Sequence, residues 1–153
     1  MLNINSKDQN LPARLAIVVS RFNEDVTLKL LEGALNRLKE LDHNTSQLCV
    51  VWVPGAVEIP LVAQKLANSQ NYDAIITLGA VIRGETTHYD YVCDQVSQGC
   101  QRVSLDAKIP VIFGVLTTEN EEQAYDRLGG RHGHKGKDAV DTALEMVATL
   151  KKL

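Results

Sequence analysis

Four short stretches of this chain are almost free of polar residues: Arg14–Ser20 (RLAIVVS), Leu48–Val53 (LCVVWV), Ala74–Ile82 (AIITLGAVI) and Val111–Leu116 (VIFGVL). They are rich in Val and Ile and do not alternate apolar with polar positions. Unbroken apolar runs of this length predict strands buried on both faces, as in a parallel sheet. Between them the apolar positions recur every three or four residues. Glu24–Leu41 places Leu28, Leu31, Leu35 and Leu38 on one helical face, with Asn23 as N-cap and two carboxylates in the first turn. Val57–Asn68 predicts a second, shorter helix, and Thr86–Ala107 aligns Val92, Val96, Cys100 and Val103. Thr118 and Glu121 have the spacing of a capping box, opening a helix to about Leu128. Lys137–Lys152 turns Val140, Ala143, Leu144 and Val147 inward.

The order βαβαβαβαα predicts an α/β fold: a three-layer α/β/α sandwich around a four-stranded parallel sheet, flavodoxin-like and doubly wound. Residues 1–12 are polar, end at Pro12 and are expected to form a flexible arm; residues 13–153 are expected to form one domain. Ligands in such folds sit beyond the carboxyl ends of the strands. That directs attention to Arg21–Asn23, Pro54–Glu58, Arg83–His88 and Thr117–Asn120, with the Gly129–Gly136 loop as a further candidate.

Composition narrows the function. One Trp, four Tyr and two Phe make up only 5% of 153 residues. The core is therefore expected to be aliphatic, and base stacking along a nucleic acid is disfavoured. The net charge of −3 argues against a generic nucleic-acid or anionic-membrane surface. The longest uncharged apolar stretch, Leu48–Val57, falls far short of the ~20 residues a membrane helix needs. MLNINSKDQN has no apolar export signal, and Cys49, Cys93 and Cys100 form no C-x-x-C, so reduced thiols and a cytoplasmic location are expected. The few rings gather: Phe22, Trp52, Tyr89, Tyr91 and Phe113 are expected at or near the ligand side.

Several familiar chemistries are missing. There is no G-x-G-x-x-G after a strand, no P-loop and no G-x-S-x-G. His132 and His134 have no partner pair for a zinc site, so no metal is expected.

Three segments carry candidate chemistry. In GAVIRGETTHYDYV (Gly79–Val92), a Gly-containing turn leads to Thr86, Thr87 and His88 at a helix start. Helix-terminal N–H groups beside two hydroxyls suit an anion, though simple capping fits the same residues. His88 can relay protons near neutral pH, with Asp90 and Asp138 as candidate carboxylate partners. RLGGRHGHKGK (Arg127–Lys137) concentrates four of the 16 Lys and Arg residues in a Gly-rich loop, which suits either a local anion or a solvated turn. In PGAVEIP (Pro54–Pro60), the N–H groups of Ala56 and Val57 could read a polar ligand with Glu58 accepting hydroxyl hydrogens; Glu58 is equally an ordinary first-turn residue.

Together these stretches resemble the lumazine synthase family. The match runs collinearly from about Leu11 to Leu150 and is carried by SRFNE (20–24), PGAVEIP (54–60), GAVIRGETTHYDYV (79–92), IPVIFGVLTTEN (109–120) and RLGGRHGHKG (127–136). The resemblance implies condensation of 5-amino-6-(D-ribitylamino)uracil with 3,4-dihydroxy-2-butanone 4-phosphate. The product is 6,7-dimethyl-8-ribityllumazine, with release of phosphate and water and no cofactor. It implies proton transfer by His88, a pyrimidine and ribityl site from Phe22, Ala56, Val57, Glu58, Ala80, Val81, Ile82, Phe113 and Lys135, and a phosphate site from Glu85, Thr86 and Arg127. Phe113, Arg127 and Lys135 match positions that a neighbouring subunit contributes, so sites at subunit interfaces are implied. So are a homo-oligomer (a pentamer, with a 60-subunit icosahedral shell in many members) and riboflavin synthase as a partner. His134 and Asp138 stand where the family frequently has Asn and Glu. Two other functions fit the same likeness: a flavin- or lumazine-binding carrier without the chemistry, disfavoured by His88, Arg127 and Lys135, and a shell protein, which is compatible with the enzyme.

Overall fold

The four apolar runs pair as parallel neighbours in a computed structural model that describes residues 1–153. The strands are β1 (Leu15–Ser20), β2 (Cys49–Val53), β3 (Ala74–Ile82) and β4 (Val111–Thr118), in the order β2-β1-β3-β4. Register is continuous, with Ile17 opposite Val50 and Ile76, and Ile76 opposite Ile112. All six residues of β1 are buried, whereas β2 and β4 are half-exposed edges. The strand order reverses at β1, so the crevice between the carboxyl ends of β1 and β3 is the topological switch point.

Two layers of helix close the sandwich. Helix α1 (Glu24–Glu40) and α5 (Lys135–Leu150) cover one face; α2 (Ile59–Asn68) and α3 (His88–Ala107) cover the other. Alternation along the strands decides which core each side chain joins. Leu15, Ile17 and Val19 meet Leu30, Leu38, Val140 and Leu144, while Ala16 and Val18 meet Ile59, Ala63 and Val96. No helix is long and apolar enough to cross a membrane.

Helix α1 corrects one expectation. Its buried stripe is Val26, Thr27, Leu30, Leu31, Ala34 and Leu38, whereas Leu28 and Leu35 are exposed. The reason is the close approach of α5. A Cβ on Gly136 would meet the Leu30 carbonyl, and one on Gly33 would meet the His134 ring. Small residues mark this contact, so a stripe drawn through the leucines is rotated away from it. Ion pairs at the same seam join Arg37 Nε to Asp141 (2.7 Å) and Lys137 Nζ to Glu40 (2.8 Å).

The segment after β4 also differs. Thr118 belongs to the strand and donates its hydroxyl to the Asn120 carbonyl (2.9 Å). Asn120 is the N-cap instead, its side chain accepting from Gln123 N–H (2.9 Å). Helix α4 therefore covers only Glu121–Tyr125, and the Gly-rich stretch forms a small hairpin, β5 (Leu128–Gly130) with β6 (Gly133–His134). Gly133 has φ +73, a left-handed turn conformation open to glycine. In the arm before β1, the Gln9 side chain accepts from Arg37 (3.1 Å).

Candidate functional site

A cavity of about 370 Å³ opens at the switch point. Its walls are the turn after β1, the turn after β2, the last residues of β3 and the start of α3. Phe22 stands at its rim with 70% of its surface exposed. The main chain holds it there: Arg21 N–H donates to the Val53 carbonyl (2.8 Å), and Phe22 N–H to that of Pro54 (3.0 Å). Asn23 does not cap α1 with its side chain. It adopts a left-handed conformation (φ 60) and donates Nδ2–H to the Ala80 carbonyl (2.9 Å), bridging the crevice from β1 to β3. Asn tolerates this conformation better than most side chains. An apolar ring fixed in solvent by its backbone is suited to cover a flat ligand.

The floor is apolar. Ala80, Val81 and Ile82 end β3, and Ala56 and Val57 come from a single 3₁₀ turn, Ala56–Glu58. The opening N–H groups of such a turn have no partner within it, so they are free to donate to a ligand. Glu58 is exposed, with its carboxylate folded toward Gly55 at the mouth. Glu85 is exposed and outside the cavity lining, whereas Thr86 and Gly84 contribute to it.

His88 is the first residue of α3, exposed and on the cavity wall. Its N–H donates to the Thr86 hydroxyl (3.3 Å). The carboxylates expected beside it are engaged elsewhere: Asp90 accepts from Arg83 (3.3 Å) and Asp138 from Lys135 (3.2 Å). Both are held by nearer cations, which spacing from His88 could not reveal. Tyr89 and Val92 complete the wall. Burial pushes the Tyr89 hydroxyl and the Cys93 thiol up, and drives the deeper Cys100 thiol to about 11. These cysteines stay protonated packing groups. Two rings expected at the ligand side are not in the lining: Trp52 packs against the α1–α5 core, and Tyr91 is exposed on α3.

A second concavity, a groove of about 560 Å³, runs along β4 and the start of α5. It holds Phe113, Arg127 and Lys135. Phe113 is 40% exposed on the edge strand. Arg127 makes no ion pair; Nη1 donates to the Gln123 carbonyl (2.8 Å). The Lys135 N–H donates to the Arg127 carbonyl (2.9 Å), so the hairpin sets the two cations side by side at its base. His134 caps α5: Nδ1 accepts from Gly136 N–H (3.2 Å), which requires the neutral ring. Burial, aided by Lys137, holds its pKa below the ordinary histidine value.

Within one chain, then, Phe22, Ala56, Val57, Ala80, Val81, Ile82, Thr86 and His88 meet in the cavity, and Phe113, Arg127 and Lys135 meet in the groove. Asn23, Arg83 and Tyr89 were not among the residues assigned to the site from sequence. Sequence points to them only by place: Asn23 and Arg83 fall in stretches just beyond strand ends, and Tyr89 is one of the rings expected near the ligand side.

The family model described as 6,7-dimethyl-8-ribityllumazine synthase matches residues 12–151. The 6,7-dimethyl-8-ribityllumazine synthase of Coxiella burnetii strain Dugway is 59% identical over 140 residues, 92% of this chain and 93% of that protein. That of Coxiella burnetii strain RSA 493 / Nine Mile phase I is 58% identical over the same shares. With the expected sheet and the expected residues at its switch point, the chain belongs to the 6,7-dimethyl-8-ribityllumazine synthase family.

Proposed function

We infer that the cavity and the groove are the two halves of an active site, completed when the groove of one copy of the chain faces the cavity of another. Family membership carries the reaction: the chain is a transferase of riboflavin biosynthesis that forms 6,7-dimethyl-8-ribityllumazine. Its substrates are 5-amino-6-(D-ribitylamino)uracil and 3,4-dihydroxy-2-butanone 4-phosphate. The observation that supports the two-half reading is the split itself. The cavity is lined mainly by apolar residues, whereas a separate groove holds Arg127, which makes no ion pair, and Lys135, paired only with the exposed Asp138 (3.2 Å).

In this reading Phe22 lies against the pyrimidine over Ala80, Val81 and Ile82. The turn at Ala56 and Val57, with Glu58 at the mouth, takes the ribityl hydroxyls. Thr86 and the Glu85 backbone receive the phosphate together with Arg127 from the other copy, whose guanidinium can grip it through two parallel hydrogen bonds. Phe113 and Lys135 close the site from the same side. The substrate amine attacks the ketone and water leaves to give an imine. Phosphate is then eliminated to leave an enol that becomes a ketone, and the second amine closes the ring onto that carbonyl as a second water leaves. His88 carries the protons these steps release and consume. Holding two substrates in register supplies much of the remaining acceleration. Such sites require a homo-oligomer, for which we propose a pentamer and, from it, a 60-subunit shell, with a cytoplasmic location and riboflavin synthase as the downstream partner.

The test is to mix the protein with both substrates and follow lumazine fluorescence; no product above the uncatalysed rate overturns the reaction. Mixing tests the two-half geometry. Separately impaired His88→Ala and Arg127→Ala chains, unfolded, co-assembled in equal amounts and assayed at low phosphate-substrate concentration, should exceed the mean of the two alone, since random pairing joins an intact cavity to an intact groove at about a quarter of the sites. No gain over that mean in demonstrably mixed oligomers overturns the shared site.

A further inference from the structure

We propose that Arg83 is a positioning residue that fixes the first turn of α3 and thereby sets where His88 projects into the cavity. The inference rests on the reading of His88 as the proton-transfer residue. Arg83 follows the last residue of β3, and its N–H donates to the Thr118 carbonyl (2.9 Å), carrying the ladder with β4 one step further. Its side chain then turns onto α3. Nε donates to Glu119, just past β4 (2.7 Å), and Nη2 donates to Asp90 (3.3 Å). The guanidinium carbon lies 4.2 Å from the centre of the Tyr89 ring. One planar cation therefore touches the two residues that directly follow His88 and ties them to the ends of two strands.

The turn is otherwise held by the Asp90 N–H to Thr87 carbonyl bond (3.0 Å) and by the packing of Tyr89 and Val92 on the α2–α3 core. Thr87 makes no capping hydrogen bond with its side chain, and the Thr86 hydroxyl accepts only from the His88 N–H. Tyr89 lies in the cavity wall with the guanidinium over its ring, so pressure on the ring from Arg83 is transmitted to the site. Arg suits this task better than Lys, because its flat fork pairs with carboxylates and stacks on a ring at the same time. The two carboxylates also explain why this cation is no phosphate ligand: its charge is already met, unlike that of Arg127. Glu119 beside it holds the guanidinium firmly protonated.

Arg83 is partly exposed and its ion pairs are solvated, so its removal should disturb stability little. A displaced catalytic group, by contrast, loses rate steeply with small movements. Arg83→Ala should lower kcat about tenfold with KM values within twofold, and Arg83→Lys should recover only part of the loss. The deciding measurement is a double-mutant cycle with His88→Ala. Once the imidazole is gone, Arg83→Ala should cost less than twofold. Equal losses in both backgrounds would overturn the role of Arg83 and leave that of His88 standing. A His88→Ala variant as fast as the parent would overturn both. Should Arg83→Ala not fold, Glu119→Gln and Asp90→Asn probe the same clasp; each should lower kcat about threefold, and only while His88 is present. No loss from either, or an equal loss without His88, overturns the clasp.

Discussion

The cavity and the groove differ in what builds them. The cavity is shaped by backbone: two hydrogen bonds from Arg21 and Phe22 to the end of β2, the Asn23 amide across the crevice, and three consecutive residues of a buried strand. The groove is shaped by long side chains on an edge strand, a two-stranded hairpin and the first turn of a helix. The first takes its shape from the sheet that holds its walls. The second keeps cations whose charge is unmet or only loosely met, which suits an anion arriving from outside the chain. The difference teaches that this fold supplies shape from its centre and charge from its rim.

Substitutions that act on one region alone can break that contrast. The largest effect is expected in the cavity: His88→Ala should lower kcat about a hundredfold with KM values little changed, as loss of a positioned proton carrier does. Steady-state kinetics in both substrates checks this. In the groove, Arg127→Ala should instead raise KM for the phosphate substrate about thirtyfold, the scale of a lost charge-assisted pair. A fall in kcat alone would place it with the cavity. Phe22→Ala should raise KM for the pyrimidine about fivefold and leave the phosphate substrate unaffected, since a stacked ring contributes on the order of 1 kcal/mol beyond its area.

The smallest effect concerns His134 and pH. Its folded-state pKa is depressed, so near pH 7 both states are neutral and nothing is lost. As pH falls through about 6.5, the unfolded chain takes up the proton first and the folded state loses relative stability. The loss ends once the folded ring itself protonates and gives up the Gly136 N–H. Thermal melting from pH 7 to 5 should show this slope. His134→Asn, whose side-chain oxygen can still cap the helix, should remove it; an unchanged slope would assign the effect to other groups.

Much of this was legible in the sequence, for a definite reason. Burial on both faces forces β1 and β3 to read as unbroken apolar runs, and the switch point follows from strand order. Eight of the residues expected at the site meet there because strand ends and the turns after them are fixed by the sheet. What escaped was set by contacts between distant segments. Leu28 and Leu35 look like core until Gly33 and Gly136 bring α5 against the neighbouring stripe. Thr118 looks like a cap until the pairing of β4 with β3 claims it. Asp90 looks like a partner for His88 until Arg83, anchored on Glu119 after β4, pairs with it.

The packing of Gly33 against the ring of His134 has a consequence for descent as well as for stability. Any side chain at position 33 needs the space the imidazole fills, so position 33 stays glycine as long as 134 is histidine. Genomes of close kin should show glycine at 33 wherever 134 is histidine, and a smaller residue at 134 wherever 33 has gained a methyl group. That pairing would be a historical record, kept in sequence, of how tightly the hairpin beneath Lys135 is pinned to the body of the protein.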